Sequence, residues 1–530
     1  MTGAIGLVAP TAATAAPEQV AAKAVAPVTW GQCDPSELVG IPANELPQYS
    51  CANYAVPLDH DRPNLGTINL ALMRRAANNP SAKIGSLFLN PGGPGGSGYQ
   101  RPKSAKNIFE PQVLDRFDLI GFDPRGVARS TPLRCFATEE DADEVFGRMH
   151  PLPVAPADEA TTLKALKDYG QFCKRFGGPL LEHMSTKDVA RDLDVMRQAV
   201  GDSKLTYVGF SYGTLLGATY VNLFPTKARA IILDGNVDPN LRLHNGVEYD
   251  KQRTGGFELA LDAYLAECDA VGTACSFTGD AREKYDALRD HLRNVGPITL
   301  PGDPDDFVVD EATLTGTVAG ALYNPAVFTQ LADLLQELWA MINPATSARA
   351  ATTLTGERFV ALQAGTQMGR ADILPDTPYT SDDSYLAVNC SDKPFDNRPS
   401  GIPALADKWE RQMPSFGRYL AWGDPAACPT WPVRDPDSYR GPWNKRTETP
   451  VLLFGNFYDP ATQYEFSRRM SRQLGNARLV SVDSFGHCIL GDSTCTDLIA
   501  ADYLINLKVP SPGIVCNPDV QPFPAAARTS

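Results

Sequence analysis

Short apolar runs cut by glycine and proline mark the first half of the chain. Residues 66–74 (GTINLALMR), 84–90 (IGSLFLN) and 117–122 (FDLIGF) read as strands, the last followed by the breaker Asp123-Pro124-Arg125-Gly126. The period then changes. In residues 185–200, Val189, Leu193, Met196 and Val200 recur at helical spacing behind a capping Ser185 or Thr186. Residues 205–209 (LTYVG) and 228–233 (ARAIIL) return to buried-strand pattern. Strands alternating with helices predict an α/β class with a mostly parallel central sheet and helices on both faces.

From about residue 236 the alternation stops. Helical segments such as 256–268 and 326–343 are joined by long polar, proline-rich connections. Alternation resumes with a strand at 450–454 (PVLLF), a helix around 463–474 and a strand at 477–482. The pattern predicts a sheet core in two parts, 30–235 and 446–530, separated by a largely helical cap insertion at 236–445. Residues 1–29 stand apart. Their small apolar stretch (AIGLVAPTAATAA) contains an Ala13-Thr14-Ala15 cleavage signal, yet the first lysine is Lys23, so they read as a truncated signal peptide or a disordered N-terminus.

Composition narrows the classes of function. The net charge of −14 argues against nucleic acid or an anionic membrane as the main partner. Outside the N-terminus no run reaches the ~18 uncharged apolar residues of a membrane span. Eleven cysteines are many for a cytosolic enzyme, and several lie in moderately close pairs: Cys33 and Cys51, Cys135 and Cys173, Cys268 and Cys275, Cys488 and Cys495. There is no CxxC pair and no zinc-type spacing, so disulfides in an oxidising compartment are expected rather than a metal. The odd count leaves at least one free thiol, and connectivity stays open. The expectation is a secreted monomer without cofactor.

Candidate chemistry centres on Gly209-Phe210-Ser211-Tyr212-Gly213. This G-x-S-x-G follows a buried strand and opens a small, apolar helical run, so Ser211 is expected on a sharp strand-to-helix turn as a nucleophile. A serine hydroxyl needs a base. Of six histidines, only His487 sits in a loop just after a late strand, in Ser484-Phe485-Gly486-His487-Cys488. Asp459 follows the strand before it and completes the chain order Ser, acid, His. Asp234, Asp238 and Asp483 are the competing acids. The glycine-rich turn at 90–98 (NPGGPGGSG) can aim backbone N–H groups at a carbonyl oxygen, and Gly93 and Tyr212 are the expected oxyanion donors. The same turn satisfies G-x-G-x-x-G with Asp118 downstream. Pro91 and Pro94 remove N–H groups there, however, and the segment after it lacks an apolar helical face, which weighs against a dinucleotide site.

Together NPGGPGGSG, FDPRG, GFSYGT, FYDPATQ and SFGHC resemble the secreted tripeptidyl aminopeptidases of actinomycetes, relatives of the proline iminopeptidases. The resemblance runs from Trp30 to Phe523. It implies the α/β-hydrolase fold, Ser211, Asp459 and His487 as a catalytic triad, a helical cap, and hydrolysis of peptides from a free N-terminus. Two positions depart from the family pattern: Ala128 stands for a glycine, and Gln463 for the proline that ends the acid motif.

An exopeptidase needs a carboxylate for the substrate amine. Glu248, Glu258, Asp382, Asp383 and Asp392 are candidates in the insertion, with Asp392 favoured because VNCSD resembles a recurrent family segment. A carboxylesterase acting on small esters with the same triad is the alternative, and a non-catalytic binding protein on the same fold is a third reading.

Overall fold

The computed structural model describes residues 25–302, 306–343, 354–366, 379, 383–395 and 398–523. The leader expected at the N-terminus and the candidate Asp382 lie outside the described residues. The strands in chain order are β1 (Tyr49–Pro57), β2 (Thr67–Arg75), β3 (Gly85–Asn90), β4 (Phe117–Phe122), β5 (Leu205–Phe210), β6 (Ala228–Asp234), β7 (Ile298–Leu300), β8 (Phe307–Val309), β9 (Val451–Tyr458), β10 (Ala477–Phe485) and β11 (Val515–Cys516). Nine of them form one sheet in the order β1-β2-β4-β3-β5-β6-β9-β10-β11. Within this sheet the β1–β2 and β2–β4 pairs are antiparallel. The other neighbours run parallel.

The central strands are apolar along their whole length because helices cover both faces. Phe88 of β3 and Tyr207 of β5 pack with Val189, Leu193 and Leu215 of the helices Thr186–Ala199 and Gly213–Leu223. Their neighbours Leu87, Leu89 and Val208 point the other way, onto Val113, Ala500 and Leu504 of the helices Pro111–Arg116 and Thr494–Asn506. Strand β1 escapes the apolar pattern because it is an edge strand with several half-buried or exposed positions.

Between β6 and β9 the chain leaves the sheet. The helices Gly246–Ala270, Ala281–Asn294, Glu311–Ala321 and Phe328–Ile342 share a core of their own around Phe257, Leu261, Leu288, Leu314 and Leu335. Two features go beyond the sequence pattern there: the helix read at 256–268 is much longer, and β7 and β8 form an antiparallel hairpin.

Five disulfides brace the fold: Cys33–Cys51, Cys135–Cys173, Cys268–Cys275, Cys390–Cys428 and Cys495–Cys516. Cys495 reaches Cys516 rather than its near neighbour Cys488, which stays a thiol. Such a set fits an oxidising compartment. Among the described residues, no helix is long and apolar enough to cross a membrane. The FDPRG segment is structural. Asp123 accepts from Ser97 Oγ at 2.5 Å and from the Tyr99 and Arg129 N–H groups. The Arg125 guanidinium clasps Asp192 through two bonds of 2.7 Å and also donates to the carbonyls of Pro57, Leu58 and His183.

Candidate active site

Strand β5 ends at Phe210 and the next helix begins at Gly213, which leaves Ser211 on a turn with φ of +56°. An L-residue adopts this left-handed conformation only when its surroundings enforce it. Here glycines do so. A Cβ on Gly209 would lie 2.4 Å from the Gly213 carbonyl oxygen, and one on Gly213 would lie 2.8 Å from Asn90 Oδ1. Gly92, from the turn after β3, packs equally close: its Cβ would meet the Phe210 carbonyl at 2.4 Å and the Ser211 Cβ at 2.9 Å. The Ser211 N–H is anchored on the Asp234 carbonyl at 2.8 Å.

Asp459 follows the last residue of β9 and is buried. Its Oδ1 accepts from the N–H groups of Ala461 (2.9 Å) and Thr462 (2.8 Å), and its Oδ2 from Thr462 Oγ1 at 2.8 Å. His487 Nδ1 lies 3.0 and 2.9 Å from the two oxygens. Burial pushes the carboxyl pKa up, but the facing imidazole and the bonds from His487 and Thr462 bring it below the ordinary aspartate value. That geometry puts the imidazole proton on Nδ1 and leaves a lone pair on Nε2. Nε2 is buried and, among the described residues, has no hydrogen-bond partner.

The loop carrying His487 is fixed by Tyr323 and by Asp234. The His487 N–H donates to the Tyr323 carbonyl at 2.9 Å, and the Tyr323 ring meets the imidazole edge-on at 5.1 Å. Downstream, Asp234 Oδ2 accepts from the N–H groups of Ile489 and Leu490, both at 2.9 Å. Burial raises the Asp234 carboxyl to about 7. The Cys488 thiol between these anchors is also pushed far up by burial, with the charges of Asp234 and Asp459 adding to the shift.

A cavity of about 410 Å³ opens at this point, within the ~300–1,000 Å³ usual for small-ligand sites. Ser211, His487, Gly92 and Gly93 line it. Among the described residues, the N–H groups of Gly93 and Tyr212 donate to no protein acceptor and remain available to a ligand oxygen. Ser211, His487, Asp459, Gly93 and Tyr212, scattered over the chain, thus converge on one place.

The three amine-binding candidates do not. None of Asp392, Glu248 and Glu258 lines the cavity. Asp392 is 1% exposed and engaged with Thr186, accepting from its hydroxyl at 2.5 Å, while Thr186 Oγ1 also lies 2.5 Å from the Tyr212 hydroxyl. Burial raises its carboxyl to about 6. Glu258 accepts from Ser415 and pairs with Arg282, and Glu248 accepts from Gln252. Asp383 accepts from the hydroxyls of Tyr169 and Tyr379, away from the cavity. The competing acid Asp238 caps the helix Pro239–His244. Sequence reasoning missed the cavity-lining Arg101, Arg253, Tyr323, Tyr385 and Asp492. Only Asp492 carried a signal, its nearness to His487 in sequence.

Comparison with known proteins agrees with this architecture. Residues 85–271 match the family described as alpha/beta hydrolase fold, and residues 412–516 the one described as TAP-like protein. The chain is 34% identical to a protein of Mycobacterium tuberculosis named serine protease Hip1, covering 92% of this chain and 91% of that one. It is 32% identical to a carboxylesterase B of the same organism, covering 97% and 96%. A tripeptidyl aminopeptidase of Streptomyces lividans is 28% identical, covering 89% and 84%.

Proposed function

The chain belongs to the TAP-like family of α/β hydrolases, and on that footing we propose that it is a secreted serine exopeptidase releasing short peptides from a free N-terminus. The carrying observation is His487. Its Nδ1 is held by a buried carboxylate while its unpartnered Nε2 shares a cavity with a serine on a strained turn. In this reading Ser211 attacks the scissile carbonyl as His487 Nε2 takes the hydroxyl proton. The carbonyl electrons move onto oxygen, where the N–H groups of Gly93 and Tyr212 stabilise the charge. Collapse expels the amine, which receives the proton from His487, and water hydrolyses the acyl-enzyme by the same steps. Asp459 fixes the tautomer and stabilises the imidazolium. The five disulfides support export.

Among the described residues Asp492 is the one carboxylate lining the cavity, so the substrate amine is assigned to it. A carboxylesterase is the second reading, favoured by the 32% identical relative of that name and by the seclusion of Asp392, Glu248 and Glu258. Mass spectrometry of the products from peptides of defined sequence, with free or acetylated N-termini, run beside simple esters, decides between them. Release of short N-terminal fragments from free peptides alone is expected. Cleavage of esters with every peptide left intact would overturn the peptidase reading.

A further inference from the structure

Buried and half-buried arginines in this protein have partners as a rule. Arg125 pairs with Asp192, Arg289 and Arg293 with Glu311, and Arg418 with Glu159 and Glu410. The two arginines that line the active-site cavity break this rule. Arg101 opens the short helix after the glycine turn, and Arg253 lies on the cap helix Gly246–Ala270. Among the described residues neither guanidinium makes a hydrogen bond or an ion pair. Arg253 stacks over the Phe257 ring at 5.5 Å, and the rings of Tyr323 and Tyr385 line the same cavity. Among the described residues Asp492, the carboxylate of this cavity, forms no ion pair with either guanidinium.

Burial lowers the Arg253 pKa, but the neighbouring Tyr323, Tyr385, Asp250 and Asp424 bring it above the ordinary value, so the group stays charged while its N–H donors meet no acceptor. The fork of donors on a guanidinium fits a carboxylate. Two such groups beside a nucleophile leave hydrogen-bond donors for a ligand carboxylate to fill. We propose that this site selects substrates carrying a carboxylate close to the scissile bond, with Arg253 and Arg101 as its specificity-determining partners. The inference rests on the hydrolase reading above. The carboxylate has two chemical sources: an acidic side chain in the acyl part, or the free C-terminus of a short peptide.

The test uses the whole protein and two matched substrate pairs. The first pair are tripeptide p-nitroanilides ending in Glu or Gln. The second are tetrapeptides with a free or an amidated C-terminus. The ratio of kcat/KM within a pair is read for the wild type, Arg253→Gln, Arg253→Lys, Arg101→Gln and Arg101→Lys, so a general loss of activity cancels. Fluorophosphonate labelling of Ser211 verifies that each variant is folded. A charge-assisted hydrogen bond predicts about a tenfold to hundredfold preference for the charged member of at least one pair. That preference collapses toward unity in at least one glutamine variant, and the matching lysine variant keeps part of it. The pair that responds identifies the source of the carboxylate. Turnover of neutral substrates with no preference in either wild-type pair, or a preference unchanged in both glutamine variants, overturns this inference while the hydrolase reading stands. Absence of labelling and of all turnover in the wild type would instead remove the hydrolase reading itself.

Discussion

Ser211 and Arg253 line one cavity, yet they are held in place by different means. Around Ser211 the backbone does the work: Gly92, Gly209 and Gly213 sit where any side chain would collide with main-chain atoms or with Asn90. Arg253 rides on a helix whose apolar residues from Phe257 onward belong to a separate core, and it lines the cavity from there. Gln463 ties the acid loop to that helix, its amide donating to the Gln252 carbonyl at 2.5 Å. Reaction geometry is thereby built by exclusion, with little tolerance. The wall that the cap lends to the cavity consists instead of side chains such as Arg253, Tyr323 and Tyr385.

Four experiments test this contrast. Ser211→Ala should lower kcat by about 10⁴-fold or more while probe labelling disappears. Gly92→Ala places a methyl 2.4 Å from the Phe210 carbonyl at a φ of +94°. It should reduce kcat on the order of 10²-fold through displacement of the nucleophile, and near-normal turnover would show that the core half tolerates more than the glycines suggest.

Asp234 tests the same half through pH. Its folded carboxyl titrates at about 7 against an unfolded value of about 3.9, so the folded state binds more protons in between. Stability should therefore fall as pH rises from about 4 to 7 and level off above, and Asp234→Asn should remove that decline in thermal melts across the range. Gln463→Pro, which restores the family residue, should have the smallest effect. Losing one neutral bond predicts about a fivefold rise in KM with kcat little changed, because only the cap helix is released. A larger fall in kcat than rise in KM would mean that the tether serves the acid rather than the cap.

The contrast also explains what could be read from sequence. A strand-to-helix turn through a serine demands glycine at fixed offsets, so residues 209–213 announced themselves. Asp459 and His487 did so by standing just past strands, which the apolar runs reveal. Strand β1 stayed hidden because an edge strand need not be apolar, and β7 and β8 because three-residue strands leave no period. Arg253 was illegible for a different reason. A charged residue within a cap helix looks like any solvated one, and only three-dimensional packing shows that its guanidinium lines the cavity without a hydrogen-bond acceptor among the described residues. Asp392 misled in the opposite sense. A carboxylate in a family-like segment suggested substrate binding, whereas Thr186 already occupies it.

The pairing of β6 with β9 has an evolutionary corollary. These strands are parallel neighbours, with Ile232 opposite Leu452, so everything between them is topologically a single crossover. Loop-closure entropy grows only logarithmically: lengthening such a link from about 12 to about 200 residues costs roughly 2.5 kcal/mol for a flexible chain. A lineage can therefore graft, enlarge or exchange the entire lid at small thermodynamic expense, and recombination at this seam offers a direct route to new substrate ranges on an unchanged hydrolytic engine.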